Sequence, residues 1–277
     1  MATGQGPAAD REPRIYGHRG APVRFPENTL ASFRQARAEG ADGIEFDVQL
    51  TQDGAAVVLH DDTLDRTTSG SGPVRAACLH DVRGLSAGAW LDARFAEERV
   101  PTLAEVCALA REIGLALDVE LKDTDAPGRL VEALAEALGQ TGWLERAGTG
   151  PSPLLVTSFD PSLLEGVARR LPAVTLGYLI DLPAVPRQRG AWVRAAVERG
   201  FAAGATLILP SLGGLLADPE DWDWSVPTLA WCGPLPTLLP DLLERLGIVG
   251  LITDEPARAR RILARDPDAR LPSPTAS

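Results

Sequence analysis

The chain has 277 residues, 45% hydrophobic and 23% charged, with 27 basic against 38 acidic side chains and a net charge of -11. That composition is ordinary for a globular protein, and no stretch approaches the about 18 consecutive apolar residues a membrane span needs. The acidic balance opposes broad electrostatic binding to nucleic acid or to an anionic membrane, so an anionic small molecule would need locally placed cations.

Length alone does not separate two average domains from one α/β barrel of about 250 residues. Residues Met1 to Arg14 show no apolar run after a basic start, so neither a secretory signal nor a membrane anchor is visible, and the cytoplasm is the expected compartment. Cys78, Cys107 and Cys232 have no paired spacing, which argues against a disulfide framework and a thiolate metal site and leaves them as expected core thiols.

After a lead over residues 1–12 expected to be disordered, Arg14-Ile15-Tyr16-Gly17 reads as a first strand. A Gly- and Pro-rich loop leads to a helix from about Thr29 to Glu39, with Asn28 as its cap and Gly40 as its stop. Gly43 to Leu50 alternates strictly: Ile44, Phe46, Val48 and Leu50 face one way, Glu45, Asp47 and Gln49 the other. Gln52-Asp53-Gly54 marks a tight turn, and Ala55 to Leu59 returns as a short strand ending at His60. Residues 61–100 lack a βα rhythm and hold Ser69-Gly70-Ser71-Gly72-Pro73, the mark of an insertion on the barrel and a candidate lid.

Thr102 to Glu105 has the form of a capping box opening a helix to about Ile113, stopped by Gly114. In Ala116 to Lys122 the residues Asp118, Glu120 and Lys122 share one face of a strand. Further strands are expected at Leu154–Ser158, Thr175–Ile180, Thr206–Leu209, Thr228–Trp231 and Gly250–Thr253, with Asp160-Pro161 starting a helix between the first two. Setting Ala55–Leu59 aside, this makes eight strands alternating with helices, the pattern of a (β/α)8 TIM barrel with a small insertion after the second barrel strand. The barrel domain is expected over residues 13–265, followed by a flexible tail at 266–277.

Glu45 and Asp47 form a carboxylate pair within an apolar strand, and such charges must be neutralised because an unpaired buried charge loses its hydration. Arginines in a solvated barrel mouth would do so; a divalent cation shared with Glu120 would also. Active sites lie at the C-terminal strand ends of such barrels, which favours the cation. All-carboxylate ligation selects a hard ion, Mg²⁺, Ca²⁺ or Mn²⁺, over Zn²⁺. Of the three histidines, His18 and His60 follow directly on strands and flank the acidic cluster, a placement suited to a general acid and base as well as to plain packing; His80 has no such setting. Lys122 is the only lysine in the chain, and with Arg19 it offers positive charge for a phosphate or a salt bridge to the acids.

The runs Gly17-His18-Arg19-Gly20, Pro26-Glu27-Asn28-Thr29, Glu45-Phe46-Asp47-Val48-Gln49, His60-Asp61, Arg66-Thr67-Thr68, Glu120-Leu121-Lys122 and Gly250 to Pro256 together resemble the glycerophosphodiester phosphodiesterase family. The resemblance spans nearly the whole chain in order. It implies Glu45, Asp47 and Glu120 as ligands of one divalent cation, Mg²⁺ or Ca²⁺ with Mn²⁺ as an alternative. It also implies His18 and His60 as the acid-base pair, and Arg19 and Lys122 as phosphate contacts. Trp231 walls the pocket or packs in the core. Family members commonly follow this tryptophan with a small polar residue, whereas this chain reads Trp231-Cys232-Gly233; the stretch Leu182 to Gly200 is also individual. The implied activity is hydrolysis of a small-molecule glycerophosphodiester to an alcohol and sn-glycerol 3-phosphate. The rival readings are a lysophospholipase D-type enzyme on the same barrel, which would need an apolar groove or membrane-facing patch, and a non-catalytic binding barrel, whose mark would be a missing ligand or histidine.

Overall fold

The computed structural model describes residues 13–122, 126–147, 153–182, 189–217, 219–223, 225–233, 235, 248–264 and 266. The expected disordered lead and, apart from Asp266, the expected flexible tail lie outside the described residues, as do residues 183–188 of the individual stretch Leu182 to Gly200. Eight strands lie parallel: β1 (Arg14–His18), β2 (Gly43–Leu50), β4 (Ala116–Leu121), β5 (Leu154–Ser158), β6 (Thr175–Ile180), β7 (Leu207–Pro210), β8 (Leu229–Trp231) and β9 (Gly250–Thr253). Their order β7-β6-β5-β4-β2-β1-β9-β8 is joined end to end by parallel bridges between Ile208 and Thr228 and between Ser211 and Trp231, so the sheet closes on itself. β3 (Ala56–Val58) runs antiparallel to β2 and stands outside the ring. The expected (β/α)8 barrel is the observed one.

Around the ring lie α1 (Leu30–Ala38), α3 (Leu103–Ile113), α4 (Pro127–Gln140), α5 (Pro161–Arg170), α6 (Arg189–Ala202), α7 (Leu212–Ala217) and α8 (Pro256–Leu263). None of the described helices is long and apolar enough to cross a membrane. Local sequence sets several of their ends. Thr102 and Glu105 form the expected capping box, with Gly114 left-handed at φ 72° behind α3. The Asp160 side chain accepts from Ser162 N, with Pro161 at the first helical position. One end differs from expectation: α1 is capped by Thr29, whose side chain accepts from Ser32 N, and Asn28 is not the cap.

The alternation in the strands divides the core into an outside and an inside. Ile44, Phe46 and Val48 pack outward with Phe33, Val106, Leu117, Val119 and Leu134 in the layer between barrel and helices. Inside, Tyr16, Ala116, Leu155, Leu179, Leu209, Leu229 and Ile252 form an apolar plug drawn from seven strands. Two residues further along β1 and β8, four along β4, and just past the end of β9, the inward positions become His18, Trp231, Glu120 and Asp254. The barrel is thus filled by apolar packing and topped by polar groups at its C-terminal mouth.

Between β3 and α3 the chain forms no strand; it carries α2 (Leu79–Gly84), 3-10 turns at Val74–Ala76 and Ala93–Phe95, and an apolar cluster of its own. Leu59, Leu64, Val74, Val82, Ala87 and Val100 make up that cluster with Val57 of β3. Cys107 is buried while Cys78 and Cys232 are only partly covered, and all three are free, so just one is a core thiol. His80 sits exposed on α2, away from the other histidines.

Candidate metal centre and active site

Strand register assembles the centre. Parallel pairing sets Asp47 of β2 beside Glu120 of β4, Glu45 beside Asp118, and His18 of β1 beside Glu45. Adjacent strands lie about 4.8 Å apart, so side chains on one face of neighbouring strands are forced into contact range. Glu45, Asp47 and Glu120 each offer one oxygen, all within 4.8 Å of one another. The side chains of Glu45 and Asp47 retain 4% and 1% of their exposure, and Glu120 retains 12%, which rules out water as the main neutraliser of the first two.

Protein cations neutralise this cluster only in part. Arg19 Nε lies 3.4 Å from Asp47 Oδ2; Lys122 Nζ lies 3.5 Å from Asp47 Oδ1 and 3.1 Å from Glu120 Oε1. Burial pushes the Glu45 carboxyl well above the usual carboxylate range, and Asp47, Glu120 and Asp118 add to the rise. For Asp47 burial also acts upward, but Arg19, Lys122, His60 and the Asn28 hydrogen bond outweigh it and hold the carboxyl low. Glu45 Oε1 and Asp47 Oδ1 are buried without a hydrogen-bond partner. Crowded carboxylates with orphaned oxygens, no thiolate and no imidazole among the donors fit a hard divalent cation.

Asp118 shares the inward face but stands apart chemically. Its Oδ1 accepts from Thr157 Oγ1 at 2.8 Å, its Oδ2 has no partner, and burial first, then Glu120 and Asp47, pushes it up to about 8. It lies beneath the centre, where burial favours its neutral form.

The two histidines are each held by a carboxylate. His18 Nδ1 is 2.6 Å from Asp254 Oδ1, directly after β9, and its Nε2 is 3.9 Å from Glu45 Oε2. His60 Nδ1 is 2.7 Å from Asp61 Oδ1. A carboxylate only accepts, so both rings carry a proton on Nδ1 and turn Nε2 away from the partner. Burial lowers the His60 pKa, with Asp47 and Asp61 pulling the other way without reversing it.

A network of ion pairs ties the His60 side to the Arg19 side. Arg66 donates to both oxygens of Asp61, from Nε at 2.7 Å and Nη2 at 2.8 Å, and to both oxygens of Glu27, from Nη1 at 2.7 Å and Nη2 at 2.9 Å. Glu27 in turn accepts from Arg19 Nη1 at 3.0 Å. The Arg19 backbone is left-handed at φ 52°, and Gly20 follows at φ 96° with Ser32 against it, where a Cβ would lie 2.3 Å from Ser32 Oγ. Only glycine fits that step, and it lets Arg19 N reach Glu45 Oε2 at 3.1 Å.

Opposite this group, Trp231 donates from Nε1 to Leu209 O at 3.0 Å and meets Phe159 edge to face, centroids 6.2 Å apart. β5 and β8 are not neighbours in the ring, so this aromatic pair reaches across the mouth above β6 and β7.

The candidate site residues therefore gather at the mouth, with Glu45, Asp47 and Glu120 in one cluster, His18 beside Glu45 and His60 close enough to Asp47 to feel its charge. Sequence reasoning gave no role to Asp254, Asp61, Glu27, Arg66 or Phe159. For Asp61 the signal was adjacency to His60; for Asp254 it was membership of the Gly250 to Pro256 run, but nothing local points to His18, 236 residues away.

Fold and site together define an α/β-barrel protein whose mouth carries an acidic cluster suited to a hard divalent cation. The model of the glycerophosphoryl diester phosphodiesterase family matches residues 18–214. This chain belongs to that family, as the motif resemblance implied. It is 39% identical over 167 residues to a glycerophosphodiester phosphodiesterase of Caldanaerobacter subterraneus subsp. tengcongensis, an alignment covering 60% of this chain and 65% of the relative. A putative glycerophosphodiester phosphodiesterase of Bacillus subtilis is 45% identical over 127 residues, 46% of this chain and 51% of the relative. Both matches span less than two thirds of the relative's length. Among solved structures, an Oleispira antarctica phosphodiesterase in complex with the product sn-glycerol-3-phosphate superposes with a TM-score of 0.77 at 27% identity, covering 91% of this chain and 97% of that one.

Proposed function

We propose that this chain hydrolyses glycerophosphodiesters to an alcohol and sn-glycerol 3-phosphate, using one divalent cation, Mg²⁺ or Ca²⁺, held by Glu45, Asp47 and Glu120. The observation that carries the reading is the convergence of those three carboxylates within 4.8 Å, two of them with orphaned oxygens, near two carboxylate-held histidines. Family membership and the product named for the Oleispira relative support the substrate class.

When bound, the cation would polarise a phosphoryl oxygen and lower the pKa of the attacking hydroxyl. The chain's own groups do the rest. One imidazole, neutral with a bare Nε2, takes the proton of the attacking water or glycerol hydroxyl, and the other, entering as the imidazolium, gives its Nε2 proton to the departing alcohol oxygen. Asp254 and Asp61 fix the tautomer that leaves each Nε2 in position for this. Arg19 and Lys122, already drawn to the centre by Asp47, supply the positive charge a phosphodiester needs in a protein of net charge -11. Trp231 and Phe159 wall one side of the mouth.

The test is hydrolysis of glycerophosphocholine, glycerophosphoethanolamine and glycerophosphoglycerol by chelator-stripped protein with Mg²⁺, Ca²⁺ and Mn²⁺ added back, repeated on Glu45→Ala. Activity should vanish on chelation, return with a cation, and fall by at least about 10²-fold in the variant, more than the loss typical of outer-shell changes. Turnover that survives both treatments would overturn the mechanism.

A further inference from the structure

Five buried side-chain polar atoms among the described residues have no hydrogen-bond partner, and four of them are acceptors: Asn28 Oδ1, Glu45 Oε1, Asp47 Oδ1 and Asp118 Oδ2. Three of those four belong to the inward carboxylates of β2 and β4. Asn28 is the uncharged member, and it comes from the loop before α1 rather than from a strand.

Its amide orientation is not ambiguous. The nitrogen Nδ2 donates to Asp47 Oδ2 at 2.9 Å, and an ionised carboxylate cannot donate in return, so the oxygen is the atom left over. Bond lengths at the amide carbon place Oδ1 on the order of 2 Å from Nδ2, hence within about 5 Å of Asp47 Oδ2. The residue is 4% exposed, which leaves no bulk water to satisfy that oxygen. Its backbone is left-handed at φ 56° and held there by Asn28 N donating to Arg19 O at 3.0 Å. A strained backbone that a neighbouring strap maintains, with the helix cap delegated to Thr29, points to a side chain kept for the site rather than for α1.

We infer that Asn28 is a member of the cation centre: its amide nitrogen holds Asp47 so that Oδ1 of that carboxylate faces the cluster, and its own oxygen is the uncharged donor to the cation or to a water on it. Hard cations accept amide carbonyl oxygens alongside carboxylates, and such a ligand adds coordination without adding to the repulsion among three acids. The inference rests on the cation reading of this centre given above.

Calorimetric titration of chelator-stripped protein with Ca²⁺ and with Mg²⁺ tests it without recourse to turnover. Asn28→Gly suits the left-handed backbone and removes both amide atoms; Asn28→Asp keeps the shape and tolerance of that backbone while returning an oxygen. The Gly variant should bind Ca²⁺ roughly 10- to 100-fold more weakly. The Asp variant should recover wild-type affinity or better, and its cation-free form should melt lower because a second carboxylate then faces Asp47. Circular dichroism confirms that each variant is folded. Cation affinity in Asn28→Gly within twofold of wild type would overturn the inference, above all if KM rises, since the oxygen would then serve the substrate. Failure of the wild-type protein to bind either cation would overturn this inference together with the cation reading, which separates the two kinds of failure.

Discussion

His18 and Asp254 lie 2.6 Å apart through Nδ1 and Oδ1, at the ends of β1 and β9, strands adjacent in the ring and almost the whole chain apart in sequence. The contact does for His18 what Asp61 does for His60: it fixes which nitrogen is protonated and aims the other into the mouth.

Removing that orientation should cost turnover more than binding. Asp254→Asn keeps the shape but can donate to Nδ1, permitting the opposite tautomer, and kcat should fall by about 10² to 10⁴-fold, the scale seen when an orienting carboxylate is lost beside a catalytic histidine. KM should move little. Steady-state kinetics at several pH values checks this, and an unchanged kcat would mean that His18 takes no part in proton transfer.

His60 should set a limb of the pH profile below the ordinary histidine value. Burial favours the neutral ring, so with His60 as the base its blocking protonation begins only as pH falls past a pKa lowered from about 6.5, whereas with His60 as the acid the same pKa sets a limb on the alkaline side. Asp61 opposes that shift by accepting a hydrogen bond that favours the charged ring. Asp61→Asn should therefore move the limb further down, and His60→Ala should abolish it with a loss of about 10² to 10⁴-fold in kcat. The pH dependence of kcat/KM reads both; a limb that rises in Asp61→Asn would contradict the assignment.

Arg66 is a test of how the two halves of the mouth are coupled. It is the guanidinium shared by Asp61 and Glu27, and through them it positions His60 and Arg19. The residue is 44% exposed, so exposed-pair energetics apply and Arg66→Gln should lower stability by no more than about 1 kcal/mol. Activity should respond more strongly, with kcat/KM down on the order of tenfold, because bidentate geometry at both carboxylates is lost. Thermal melts beside kinetics separate the two effects; equal losses in Asp61→Asn, Glu27→Gln and the double variant would confirm one connected unit.

Much of the barrel was legible in sequence because its strands and caps are local codes. The alternation in Gly43–Leu50 and Ala116–Lys122 fixed which side chains share a face, and Leu154–Ser158, Thr175–Ile180 and Gly250–Thr253 form strands at their expected bounds. Thr102–Glu105 and Asp160-Pro161 cap their helices as read. Asn28 was misread as a cap since Asn and Thr are both good at that position, and the choice between adjacent candidates turned on a contact with Asp47 that no window of neighbours contains.

The amino-acid order by itself settled the period of each strand, the pairing of Glu45 with Asp47 on one face, and the placing of His18 and His60 at strand ends. Those follow from backbone geometry over a few residues, where a side chain's direction repeats every second position. Only the closed barrel decided that Glu120 stands beside Asp47, that Asp254 reaches His18, and that Phe159 meets Trp231 across the mouth. Strand register and ring closure are set by packing between segments far apart in the chain, and that energy has no local signature to read.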